Sequence, residues 1–132
     1  MAKILVADDD PTVLQFCVMV LERDKHTAVT SETGPETLAK LKSEKPDLLL
    51  LDVMLPGMDG HTLQLRMSED EALFKVPVIV MTAMRPALSL FDKFAQVSGT
   101  LAKPFLADAL AEAVTKALND ERIKELKYHP YL

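Results

Sequence analysis

Asp8 and Asp9 close a short apolar run at residues 4–7, Asp52 closes another at 48–51, Thr82 a third at 78–81, and Lys103 a weaker one at 101–102. Any one of these polar residues alone reads as a helix cap or a solvated turn; their common position at the ends of apolar runs is the signal. Three carboxylates brought together repel one another unless a cation joins them or they take up protons. A hard divalent ion answers this directly. Mg²⁺ accepts carboxylate, carbonyl and water oxygens in an octahedral shell and keeps several waters, so two direct acids and a backbone carbonyl suffice. With Asp8, Asp9 and Asp52 ionised, Mg²⁺ bound and Lys103 protonated, the group is formally neutral. A carboxylate in such a setting can attack phosphorus to form an acyl phosphate. Mg²⁺, the Lys103 ammonium and the Thr82 hydroxyl would hold the equatorial oxygens as charge spreads in a loose transition state. Zinc and Ser/His/Asp chemistry fit poorly, because His26, His61 and His129 lie apart from the acids and Cys17 is not at a strand end.

The elements that must carry these residues follow from the pattern. Each apolar run is followed by a longer helical pattern, which is the signature of βα units around a parallel sheet, hence the α/β class. The runs are apolar throughout rather than alternating, as strands covered by helices on both faces should be. The more polar Thr27-Ala28-Val29-Thr30 is assigned to an edge. In open parallel sheets ligands bind outside the carboxyl ends of the strands, so residues as far apart as Asp8 and Lys103 converge on one pocket. Asp10-Pro11, Gly34-Pro35 and Arg85-Pro86 mark helix starts, proline being tolerated at the first helical position. The spacing predicts helices over 11–23 with Asp10 as N-cap, over 35–43, from near Gly60, over 86–97, and after Pro104. Val13, Leu14, Cys17, Val20 and Leu21 form the buried side of the first, with Cys17 a core thiol. The last carries Leu106, Leu110, Ala113, Val114, Ala117 and Leu118; Ile123 and Leu126 do not continue the stripe. A domain over residues 1–119 is expected, with 120–132 a tail or linker.

With 48% apolar and 27% charged residues the chain can bury a core and falls outside the disordered class. A net charge of −5 without a Lys/Arg cluster argues against nucleic acid as a ligand. The longest uninterrupted apolar stretch, 16–21, is too short for a membrane helix. One cysteine allows no internal disulfide, and three aspartates interrupt the N-terminal run before it reaches signal-peptide length, so a reducing, cytoplasmic setting is expected.

Asp8-Asp9 after a short strand, Asp52 leading Val53-Met54-Leu55-Pro56-Gly57-Met58-Asp59-Gly60, then Thr82-Ala83 and Lys103-Pro104-Phe105, together resemble the receiver domain of bacterial two-component response regulators. The resemblance spans about residues 3–118. It implies a flavodoxin-like, doubly wound five-stranded parallel sheet in the order 2-1-3-4-5 with five flanking helices. It also implies a sensor histidine kinase or histidine phosphotransfer protein as donor and a downstream protein target or output domain. Asp52 would be the phosphoacceptor and a metal ligand, Asp9 a direct Mg²⁺ ligand, Asp8 a ligand through water, and Met54 a ligand through its backbone carbonyl. Lys103 would contact the phosphoryl group, ahead of a cis Lys103-Pro104 bond. Thr82 would swing toward a phosphoryl oxygen, its alternative being a strand-end hydroxyl that caps the next turn.

The chain departs from the family pattern in two places. The position three before Lys103, usually aromatic, is Thr100, which leaves a switch by ring rotation without its ring. Met54 and Met84 stand where polar, water-orienting residues are common, which predicts a long-lived phosphoryl group. The expected fourth helix carries Leu88, Leu90, Phe91, Phe94, Ala95 and Val97, an apolar set wider than a core face needs. It reads either as a broadly buried helix or, with the fifth strand and fifth helix, as a partner or homodimer face regulated by Asp52; negligible exposure of Leu90 and Val97 would exclude the second. Two other functions stay open: a receiver-like interaction module that needs no phosphorylation, and a Mg²⁺-dependent phosphohydrolase with Asp52 as nucleophile. The latter wants a second acid to protonate the leaving group, and the residue two past Asp52 is Met54.

Overall fold

The computed structural model describes residues 1–128. In chain order the elements are β1 (Lys3–Ala7), α1 (Pro11–Arg23), β2 (Thr27–Ser31), α2 (Gly34–Glu44), β3 (Leu48–Asp52), α3 (Gly60–Ser68) and β4 (Val78–Thr82). They continue with a 3-10 helix (Arg85–Phe91), β5 (Val97–Ala102), α4 (Ala107–Leu118) and a short α5 (Glu121–Lys124). The strands form one parallel sheet in the order β2-β1-β3-β4-β5. Among the described residues no helix is long and apolar enough to cross a membrane.

Alternation along the strands explains why the runs are apolar throughout. Ile4, Val6, Leu48, Leu50, Ile79 and Met81 face one side and pack on Leu14, Cys17, Val20 and Leu21 of α1 and Leu110, Val114 and Ala117 of α4. Leu5, Ala7, Leu49, Leu51, Val78 and Val80 face the other, against Leu41 of α2, Leu63 and Met67 of α3, and Phe91. Successive strand residues serve opposite cores, so neither set can be polar. Val13 is only half-buried at the margin of the first.

Helix starts are fixed by short side chains. Asp10 accepts the N–H of Thr12 at 2.9 Å, Thr33 that of Glu36 at 3.1 Å, and Asp59 that of Thr62 at 2.8 Å. Each satisfies one orphan donor of a first turn.

The helix expected over 86–97 is replaced. Only Arg85–Phe91 is helical, as a 3-10 helix, and Val97 opens β5. Backbone bonds from Ala87 to Met84, Phe94 to Phe91 and Val97 to Phe94 span three residues each. Val97 is drawn into the sheet and the Gln96 side chain is tied to the carbonyls of Leu73 and Val76, so the end of the expected helix is held in the strand and its approach instead. The last long helix, expected after Pro104, starts at Ala107 with Leu106 at its N-cap position. Residues 120–128 of the expected tail lie against the domain: Ile123 is fully buried, and the Tyr128 hydroxyl donates to the Glu69 carbonyl at 3.0 Å. The remaining tail residues, 129–132, fall outside those described, His129 and Tyr131 among them.

Candidate functional site

Four strand ends build the site. Asp8 follows β1 and is fully buried; its N–H donates to the Ser31 carbonyl at 3.0 Å, which fixes the turn out of the sheet. One carboxylate oxygen, Oδ1, accepts the N–H of Asp10 at 2.9 Å, and the other, Oδ2, meets Lys103 Nζ at 2.5 Å. Asp9 is exposed beside it. Asp52 ends β3, is 5% exposed, and accepts the N–H of Met54 on Oδ1 at 3.2 Å. Its Oδ2 lies 3.5 Å from Lys103 Nζ. Asp8, Asp9 and Asp52 each present an oxygen within 4.8 Å of the other two.

Lys103 is carried there by β5, whose last pair is Thr82↔Ala102, and by its own N–H, which donates to the Thr82 carbonyl at 2.8 Å. The Lys103-Pro104 peptide bond is cis. Thr82 is buried at the end of β4, and its hydroxyl oxygen accepts the Met84 N–H at 3.0 Å, the turn-capping bond named as its alternative role. Its own proton can be donated elsewhere. Thus the described structure brings Asp8, Asp9, Asp52 and Lys103 together and sets Thr82 beside them in the sheet. Met54 contributes an N–H to Asp52, while its side chain is 59% exposed; that of Met84 is 55% exposed.

The electrostatics are unbalanced. Two unit charges 4.8 Å apart at an effective dielectric of 20 repel by roughly 3 kcal/mol, and three carboxylates face one ammonium. Burial and the charge of Asp8 push the Asp52 carboxyl up to about 6, against the opposing pull of the Met54 N–H and Lys103. Burial alone would lower the Lys103 ammonium, but its hydrogen bond to Asp8 and the charges of Asp52 and Asp8 outweigh it and raise the group. An all-oxygen set, two members of it buried and one open to water, fits a hard divalent ion that retains part of its hydration. Below the site, burial and then the Asp8 charge push the Cys17 thiol up to about 12, so it stays a neutral core residue, as expected.

Two site features were not foreseen from the sequence. The Asp10 N–H holds Asp8 while the Asp10 side chain caps α1, so one residue serves both. Gly60 packs directly on the phosphoacceptor candidate: a Cβ there would lie 2.8 Å from the Asp52 carbonyl oxygen and 2.8 Å from Val53 Cα. Its signal was the place of Gly60 at the end of the segment that follows Asp52 and at the start of the third helix.

The family model described as the response regulator receiver domain matches residues 4–115. Protein PilH of Pseudomonas aeruginosa is 34% identical over 82 residues, covering 62% of this chain and 68% of that protein. The alkaline phosphatase synthesis transcriptional regulatory protein PhoP of Bacillus subtilis is 38% identical over 81 residues, 61% of this chain but only 33% of that protein. Among solved structures, the N-terminal domain of a response regulator receiver protein from Methanoculleus marisnigri superposes with a TM-score of 0.70 at 32% identity, covering 90% of this chain and 98% of that one. NtrX from Brucella abortus gives 0.80 at 26% identity, covering 93% of this chain and 28% of that one.

Proposed function

The chain belongs to the response regulator receiver domain family, and from that premise we propose that it is a phosphoacceptor switch in which Asp52 takes a phosphoryl group from the phosphohistidine of a sensor kinase or phosphotransfer protein. The observation that carries this reading is Lys103 Nζ lying within reach of both Asp8 and Asp52, a convergence of three strand ends that no single-helix cap requires.

In the proposed step an Asp52 carboxylate oxygen attacks phosphorus in line with the donor nitrogen. The O–P bond forms as the P–N bond breaks, and the imidazole leaves with the electron pair and takes a proton from water. At neutral pH Asp52, shifted to about 6, is ionised in most molecules and able to attack. The Lys103 ammonium meets the charge on the equatorial oxygens, and the Thr82 hydroxyl turns its free proton toward one of them. Asp8, Asp9, Asp52 and the Met54 backbone carbonyl would hold Mg²⁺, which when bound draws off charge from the phosphoryl oxygens.

Phosphorylation adds charge and acceptor oxygens at one point, so the readout must lie nearby. The 3-10 helix begins three residues after Thr82, and Leu90 within it is 53% exposed, while Val97 is half-buried. The condition that would exclude a partner face is therefore not met, and this segment with β5 and α4 is our candidate surface for a downstream target or a second copy. A cytoplasmic setting accords with the kinase partner and the unpaired, buried Cys17.

Incubation with acetyl phosphate and Mg²⁺, followed by intact-mass measurement, tests the reading. A stoichiometric adduct lost in Asp52→Asn supports it. Steady release of phosphate without an adduct would show a phosphohydrolase, and neither result would leave an interaction module.

A further inference from the structure

The β4–β5 ladder is not regular. Val78 pairs with Val97, but the next residue, Ile79, pairs with Gly99, so Ser98 is an extra residue on β5. From there the pairing runs without interruption to Thr82↔Ala102 and delivers Lys103 to the site. A slip of one residue would move the strand by about 3.3 Å and turn each side chain to the opposite face. Lys103 Nζ, at 2.5 Å from Asp8 and 3.5 Å from Asp52, has no room for such a displacement.

Little within β5 itself holds that register. Thr100 is exposed, a Cβ at Gly99 would meet nothing within 4 Å, and beyond the bulge only Leu101 is buried. Polar, glycine-containing strands are those prone to slip. The bulge, however, is fastened from outside. The Ser98 hydroxyl donates to Asp120 Oδ2 at 2.9 Å. The Arg122 guanidinium donates to the Ala95 carbonyl, to the Val97 carbonyl at 3.2 Å, and to Asp120 Oδ2 at 3.4 Å. Asp120 also caps α5 through the Arg122 N–H at 3.1 Å, and fully buried Ile123 fixes that turn to the domain. The extra residue and the stretch of chain leading into it are thus tied to one short segment, residues 120–123.

We propose that Asp120 and Arg122 are positioning residues: acting through Ser98 and the Ala95 and Val97 carbonyls, they clamp the β5 bulge and so set the register that places Lys103 against Asp8 and Asp52. The effect on phosphorylation rests on the receiver reading; the effect on register does not.

The test compares Asp120→Ala and Arg122→Gln with Asp120→Asn, which keeps an acceptor for Ser98. Leu41→Ala, in the core on the other side of the sheet, controls for lost stability. Cross-strand amide contacts by NMR read the β4–β5 pairing, and acetyl phosphate with Mg²⁺ reads the modification rate of protein verified as folded by circular dichroism. Asp120→Ala and Arg122→Gln should show shifted or mixed pairing from Ile79 onward and modify at least about tenfold more slowly, while Asp120→Asn stays within about threefold of the wild type. Unchanged pairing in both variants overturns the proposal whatever the rate. So does altered pairing with a wild-type rate, or a slowing no greater than that of Leu41→Ala. A wild type that acetyl phosphate fails to modify would count against the receiver reading alone, and the pairing would still decide the clamp.

Discussion

Replacing Asp52 by Asn should stabilise the protein in the absence of divalent cations, although it removes one partner of an ion pair. In the folded state the Asp52 carboxyl sits near 6, against an ordinary value of 3.8, as the net result of burial, Asp8, the Met54 N–H and Lys103. Two units of upward shift correspond to about 3 kcal/mol by which ionised Asp52 disfavours the folded state. An acid with a raised folded value binds its proton more tightly when folded. The penalty is therefore absent below about pH 4, where both states are protonated, grows as pH rises, and is complete above about pH 6. Asparagine keeps the shape and an acceptor for the Met54 N–H without the charge, and the Asp8–Lys103 pair remains. Urea unfolding followed by far-ultraviolet circular dichroism, with chelator present, should show Asp52→Asn more stable by about 2–3 kcal/mol near neutral pH, with the gap closing on acidification. Mg²⁺ at about a hundred times its Kd should then stabilise the wild type by about 2.7 kcal/mol and the variant by less. A variant less stable than the wild type at neutral pH, or a gap that does not change with pH, would refute the electrostatic account of the site.

Other consequences follow from the same geometry. Lys103→Gln should slow modification of Asp52 by about a hundredfold, by loss of charge stabilisation; it should also bind Mg²⁺ more tightly in titration calorimetry, because the competing ammonium is gone. Met54→Asn should shorten the lifetime of the phosphorylated form by about tenfold in a mass-based decay assay, by placing a group that can orient water where an exposed thioether now stands. Gly60→Ala forces a Cβ against backbone atoms of Asp52 and Val53 that cannot yield, and should cost about 1–3 kcal/mol in a denaturant titration while slowing phosphorylation.

The sequence was most informative where a single local rule decided the outcome. Asp10-Pro11 fixed the start of α1 because the cap and the proline act within one turn. The acids, Thr82 and Lys103 were locatable because each ends an apolar run, and parallel topology gathers such ends whatever the loops do. The 3-10 helix was misread because Leu88, Phe91, Phe94 and Val97 have helical spacing, while the competing demand, Val97 and Gln96 drawn toward β4 and the 73–76 turn, is long-range. Ile123 was invisible for a related reason: the turn at Asn119-Asp120 resets the helical phase, so its burial cannot be extrapolated from α4. The clamp on Ser98 joins residues 22 positions apart through a bulge that no strand pattern announces.

Mapping the modified residue tests the central claim most directly. The protein is exposed to acetyl phosphate and Mg²⁺, the acyl phosphate is trapped by borohydride reduction, and fragments are weighed. The account requires a single reduced position, residue 52, that disappears when the metal is chelated. Modification at Asp8 or Asp9 instead, or labelling indifferent to Mg²⁺, would contradict it.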